Sequence, residues 1–245
     1  MRALAIAILL TSSAVAAATP DFSGIWLPDP ARAEPWPTEL PLTPAARAQM
    51  QAFDPATRDP ISFCMPFGTP RNTLATDSAI EIIQTPGRLT LIFQPDLSNV
   101  ETRRVYLDGR TLPAEPDPSW FGTSIGTWDG DTLVIETVGI ETDALVSGNG
   151  LPHSDALRIV ERLRIENEPG AGKVLIDEMT LHDSKAYTAP IVTRRYFTWA
   201  PNAPLRESHC AERLWIDKLW RDRLAEHARA RSSTVPKSAP EGEGR

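Results

Sequence analysis

Cysteine is nearly absent from this chain. Cys64 and Cys210 are the only two, and with no C-x-x-C pair or clustered partners they offer neither a zinc site nor dithiol redox chemistry. Histidine is scarce as well, with four in the chain and no H-x-x-x-H or H-E-x-x-H spacing, so no metal ligand set is expected. Excess positive charge is missing: the formal net charge of -7 argues against a nucleic-acid partner, whose phosphates must be met by clustered Lys and Arg. No G-x-x-x-x-G-K phosphate cradle and no solenoid or propeller period is present. Long apolar runs are confined to Ala3 to Leu10, too short to cross a hydrocarbon core that takes about 20 residues, so no membrane span is expected in the mature chain.

That short run is informative in its setting. Arg2 precedes it and the small residues Ala16-Ala17-Ala18 follow it, the order of a secretory signal peptide cleaved after Ala18. No cysteine stands at the cleavage point to take a lipid, so a free periplasmic or secreted protein is expected. In an oxidising compartment the two cysteines are expected to pair, with two free buried thiols as the alternative.

The rest of the chain turns often, with 23 prolines and 14 glycines. Asp21 to Trp26 reads as a strand, and Pro28 to Pro41 as an extended surface segment. Thr43 followed by Pro44 predicts the capped start of a short helix reaching about Phe53, and Asp54 to Thr76 reads as irregular. Alternation of period two then predicts strands over Arg88 to Gln94 and Glu101 to Leu107. Asp129-Gly130 predicts a hairpin between Gly122 to Trp128 and Asp131 to Val138; a second joins Ala156 to Ile165 with Lys173 to His182, and Pro190 to Trp199 adds another strand. Short strands without crossover helices predict a mainly β fold, an antiparallel barrel or sandwich. Its expected divisions are a signal peptide over 1–18, a Pro-rich segment with a short helix over 19–76 and the β domain over 77–211. A C-terminal amphipathic helix over 212–230 and a disordered tail over 231–245 complete them.

One strand carries an anomaly. From Leu157 to Ile165 the odd positions are Leu157, Ile159, Glu161, Leu163 and Ile165, an apolar face broken by one carboxylate. Turned inward, Glu161 must be paired, hydrogen-bonded or protonated, which makes it either a site residue or half of a structural ion pair with Arg104 or Arg195. His153 precedes the strand at what would be a barrel rim, where a group titrating near neutral pH suits proton transfer; a loop histidine bonded to nearby backbone is the alternative. Asp183 and Tyr187 follow the next strand and are candidates for the same rim. Gly122-Thr123-Ser124-Ile125-Gly126 has the form G-x-S-x-G, but it leads into a hairpin rather than a helix, so Ser124 is not read as a nucleophile.

The segments Asp21 to Trp26 (DFSGIW), Cys64 to Arg71 (CMPFGTPR) and Tyr106 to Arg110 (YLDGR) resemble those of an uncharacterised family of exported bacterial proteins. So do Trp120 to Leu133, Pro152-His153-Ser154 with Glu161-Arg162, and Asp183 to Tyr187, so the resemblance covers most of the mature chain. It implies a lipocalin-like or related β-barrel and no particular reaction. Where that family often has a histidine this chain has Thr123, which weighs against an enzymatic reading.

Three functions compete. One is a binding protein for a small apolar or amphipathic molecule, with Arg71, Arg104, Trp120, Ser124 and Arg195 as ligand contacts and Glu161 and His153 helping to fix its polar end. Another is a cofactor-independent lyase, isomerase or hydrolase in which His153 and Glu161 divide general acid and base work, with Asp183 and Tyr187 as further catalytic candidates. The third is an interaction module using the Trp215- and Trp220-bearing C-terminal helix.

Overall fold

The computed structural model describes residues 19–76, 78–95 and 99–204, Cys210, and isolated positions from 217 to 229. The expected signal over 1–18 and tail over 231–245 lie outside the described residues, and the expected helix over 212–230 lies there for the most part.

Nine strands form a closed barrel in sequence order. They are β1 (Gly24–Pro28), β2 (Ala79–Thr85), β3 (Arg88–Gln94), β4 (Glu101–Tyr106), β5 (Thr123–Asp129), β6 (Thr132–Val138), β7 (Arg158–Glu168), β8 (Gly172–His182) and β9 (Ile191–Trp199). Every seam is antiparallel except β4 to β5, a parallel contact of only two residue pairs, Val105 with Ser124 and Tyr106 with Ile125. At the other extreme β7 and β8 run together from Arg158–His182 to Glu168–Gly172. The wall is closed between β1 and β9, and the two-pair contact of β4 with β5 is its least paired seam.

The mainly β barrel and its hairpins agree with the alternation in the sequence, with three differences. The β5–β6 turn is Gly130-Asp131, one residue beyond the expected Asp129-Gly130, because Asp129 pairs with Thr132; Gly130 takes φ 60°, a conformation glycine adopts without strain. Strand β2, which the alternation did not mark, pairs along its whole length with β3. The barrel also does not begin after residue 76. Strand β1 lies inside the expected Pro-rich segment and closes the wall between β2 and β9. Gly24 makes that closure possible: at φ 132° it passes so near the Trp199 indole that a Cβ would sit 2.6 Å from Nε1.

The N-terminal segment packs over one end. Thr43 caps helix α1 (Pro44–Gln51) as expected, its hydroxyl accepting from the Ala46 N–H. The stretch read as irregular instead contains α2 (Pro55–Arg58), a 3-10 turn over Pro60–Phe63 and the buried turn α3 (Arg71–Leu74). Cys64, which follows the 3-10 turn, is disulfide-bonded to Cys210.

The interior is layered. One apolar cluster, with Leu151, Ile159, Met179, Leu181 and Ile191, fills the end under α1 and α3. Another, with Trp26, Phe93, Val105, Leu163, Leu175 and Phe197, fills the opposite end. Between Ile159 and Leu163 on β7 stands Glu161, between Met179 and Leu175 on β8 stands Asp177, and between Ile191 and Phe197 on β9 stand Thr193 and Arg195. A polar belt thus crosses a barrel that is otherwise apolar inside.

Candidate functional site

Glu161 is in the interior, 1% exposed, as the β7 alternation implied. Its partner is neither Arg104 nor Arg195 but Arg103, itself 1% exposed on β4. The guanidinium grips both carboxylate oxygens, Nη1 donating to Oε1 at 2.8 Å and Nη2 to Oε2. Arg103 also donates through Nε to the Ser124 hydroxyl at 3.1 Å and through Nη2 to the Thr137 hydroxyl at 2.7 Å. Burial works against the Arg103 charge, and Glu161 more than offsets it, so the guanidinium is held in its charged form. This network ties β4, β5, β6 and β7 together across the middle of the barrel. It spans the seam where β4 and β5 share only two backbone pairs, a structural role for Glu161 and Ser124.

Asp177 completes the belt on β8. Its Oδ1 is buried without a hydrogen-bond partner, and burial together with the nearby Glu161 charge pushes its carboxyl well above the ordinary value of 3.8, against the pull of Arg103 and Arg195. The folded state therefore keeps a proton that the unfolded chain releases, so the contribution of Asp177 to stability is greatest at acid pH and falls as pH rises from about 4 until Asp177 ionises. Asp177→Asn, a neutral isostere, is expected to remove that fall and to be more stable than the wild type at neutral pH. Urea midpoints from about pH 4 to about pH 8 check it; parallel curves for the two proteins would refute it.

His153, Asp183 and Tyr187 do meet at one rim, bound to the turn before β7. Asp183 accepts from the Ser154 N–H and hydroxyl and from the N–H groups of Lys185 and Ala186. The Tyr187 hydroxyl donates to the Pro152 carbonyl at 2.9 Å, and burial followed by the Asp183 charge raises its pKa. His153 Nδ1 lies 2.8 Å from the Ser154 carbonyl, which only accepts, so Nδ1 carries the hydrogen; Nε2 is buried without a partner. No hydrogen bond joins His153 to Glu161, whose oxygens are both committed to Arg103. The rim therefore stands apart from the belt. Arg104 is exposed on the outer wall opposite Thr90, and Trp120 is half-buried against the apolar end.

The two other arginines of the sequence reading, Arg71 and Arg195, come together. They line a cleft of about 440 Å³ where α3 and the 146–149 segment meet β9, with Trp36, Phe67, Leu74 and Val146 as its apolar walls. Arg71 is neutralised within the protein: Nη1 and Nη2 donate at 2.7 and 2.8 Å to the two oxygens of buried Asp59, and its guanidinium lies 4.8 Å from the Phe67 ring centre. Arg195 is different. Nη1 donates to the Glu34 and Arg194 carbonyls and the Thr193 hydroxyl, and Nε to the Leu74 carbonyl, all neutral acceptors. Two further clefts, of about 410 Å³ beside Gln84 and Trp128 and about 600 Å³ beside Arg47 and Met50, contain neither arginine. Trp36 and the 146–149 wall were not marked by the sequence, where they lie in a Pro-rich segment and a loop without periodicity.

No protein-family model and no curated protein matches the chain. Among solved structures, zebrafish ileal bile acid-binding protein complexed with cholic acid is similar over 73% of this chain and 98% of its own, at 14% identity and a TM-score of 0.34. At that level the ligand of one protein says nothing about the ligand of the other.

Proposed function

We propose that this protein is an exported binding protein that takes a small molecule with an apolar body into the cleft between α3, the 146–149 segment and β9. The observation that carries the reading is the cleft itself: it has the volume usual for small-molecule sites, an apolar side formed by Trp36, Phe67, Leu74 and Val146, and a polar side that includes two arginines. The barrel serves as a rigid frame. With its centre crossed by an ion pair and both ends packed, it holds the cleft walls in place. Export is proposed from the signal-like first 18 residues, and the Cys64–Cys210 bridge suits an oxidising compartment.

Ala75 lines the cleft and is half-buried, so a large side chain there is expected to occupy it. Ala75→Trp is expected to fold normally and to lose bound small molecule. Native mass spectrometry of the purified wild type and variant checks this. A molecule that co-purifies equally with both would place binding elsewhere.

A further inference from the structure

The two arginines of the cleft are not equivalent, and the difference bears on what the cleft accepts. Arg71 has both terminal nitrogens on Asp59, which is only 4% exposed. A ligand that took Arg71 would strand that carboxylate, buried and unpaired, at a cost comparable to breaking a buried ion pair. Arg195 carries no such obligation. Among the described residues no carboxylate makes an ion pair with it, and its Nη2 donates to no protein acceptor although the side chain lines the cleft.

The charged groups around it do not fill the gap. Glu34 and Glu178 both bond to Arg194 instead. Asp177, opposite Arg195 in the β8–β9 register, makes no ion pair with it and holds its proton more tightly than an ordinary carboxyl. Burial lowers the Arg195 pKa, with Asp177 and Glu34 pulling the other way, and an arginine, the most basic of the side chains, still carries its charge at neutral pH. The cleft therefore holds one cation with a spare donor nitrogen and no anion of its own. The Trp36 ring lies 5.9 Å from the Arg195 guanidinium, and Leu74 and Val146 continue the apolar wall.

From this geometry we infer that the ligand is an organic monoanion, a carboxylate on an apolar body, and that Arg195 rather than Arg71 is its anchor. The inference rests on the cleft being the binding site. A carboxylate oxygen accepting from Nη2 makes a charge-assisted hydrogen bond in a partly desolvated setting, while the apolar body lies against Trp36, Phe67 and Val146. A neutral molecule of the same shape keeps the apolar contacts and leaves the guanidinium unanswered.

The test uses a matched pair, 4-phenylbutyrate and 4-phenylbutanol, titrated into the full-length mature protein and followed by protein NMR shifts, with the Trp36 indole assigned by Trp36→Phe. The carboxylate is expected to bind about tenfold or more tightly than the alcohol. Arg195→Met is expected to abolish that preference, read as the ratio of the two affinities within the variant, and Arg195→Lys to retain part of it. The wild-type comparison needs no variant, so a poorly folded Arg195→Met leaves the inference open to refutation. Equal affinity for the two compounds, or a preference that survives Arg195→Met, overturns the anchor and leaves the cleft reading standing. Shifts confined to residues remote from Trp36, or no binding of either compound, overturn both.

Discussion

Reducing the Cys64–Cys210 bridge is expected to lower the stability of the protein by about 5 kcal/mol. The bond links residues 146 apart, and in the chain-entropy model a loop of that length removes roughly this much freedom from the unfolded chain. For a chain of this size the loss corresponds to a fall in Tm of about 10–20 °C. The double variant Cys64→Ser/Cys210→Ser, compared with the wild type by calorimetry with and without reductant, measures it. The reduced wild type should match the variant. A difference below about 1 kcal/mol would mean that other contacts already restrain the unfolded chain and that the entropic account fails here. There is a functional corollary. Cys64 closes the 3-10 turn that carries Ile61, and the turn lies between Asp59 and Phe67, so one wall of the cleft is tethered by this bond. Ligand affinity should therefore weaken on reduction even below the unfolding temperature.

Breaking the Arg103–Glu161 pair is expected to cost about 3–5 kcal/mol from either side, because each change leaves the other charge buried without a counter-ion. Against a typical total of about 5–15 kcal/mol, that is a large share. Glu161→Leu strands a guanidinium whose remaining acceptors are two hydroxyls, and Arg103→Met strands a carboxylate with no other side-chain donor among the described residues. The double variant Arg103→Met/Glu161→Leu should recover most of the loss, since an apolar pair of similar volume avoids the desolvation of both charges. Urea unfolding of the four proteins gives the coupling energy directly. Additive single effects would mean that the two side chains do not stabilise the fold through each other. Glu161→Gln is informative about role: a large loss of stability assigns Glu161 to architecture, whereas a stable variant with altered ligand affinity would return it to the site.

How far the sequence could be read follows from the kind of signal each feature leaves. Hairpins were legible because a local alternation and a glycine turn lie within a dozen residues of one another. The inward turn of Glu161 was legible for the same reason, since Ile159 and Leu163 flank it on an apolar face. Its partner was missed by one position, although Arg103 shares parity with Val105 and Arg104 does not. Strand β2 escaped because Ile82-Ile83 breaks the alternation; Asp21 to Trp26 was legible as a strand, but its place in the barrel wall was not, because that place depends on pairing with the distant β9. The cleft was half visible. Arg71 and Arg195 were both singled out, but what distinguishes them, Asp59 for one and backbone carbonyls for the other, depends on chain crossings that no local pattern encodes.

Strand β1 pairs on one side with β2 and on the other with β9, which begins at Ile191. Synthesis delivers β1 early and β9 near the end, so the first stave must wait for nearly the whole chain before the wall can be completed. Until then Gly24–Pro28 and β8 each present an open edge, and truncation anywhere before Trp199 should yield an adhesive, aggregation-prone sheet instead of a smaller barrel.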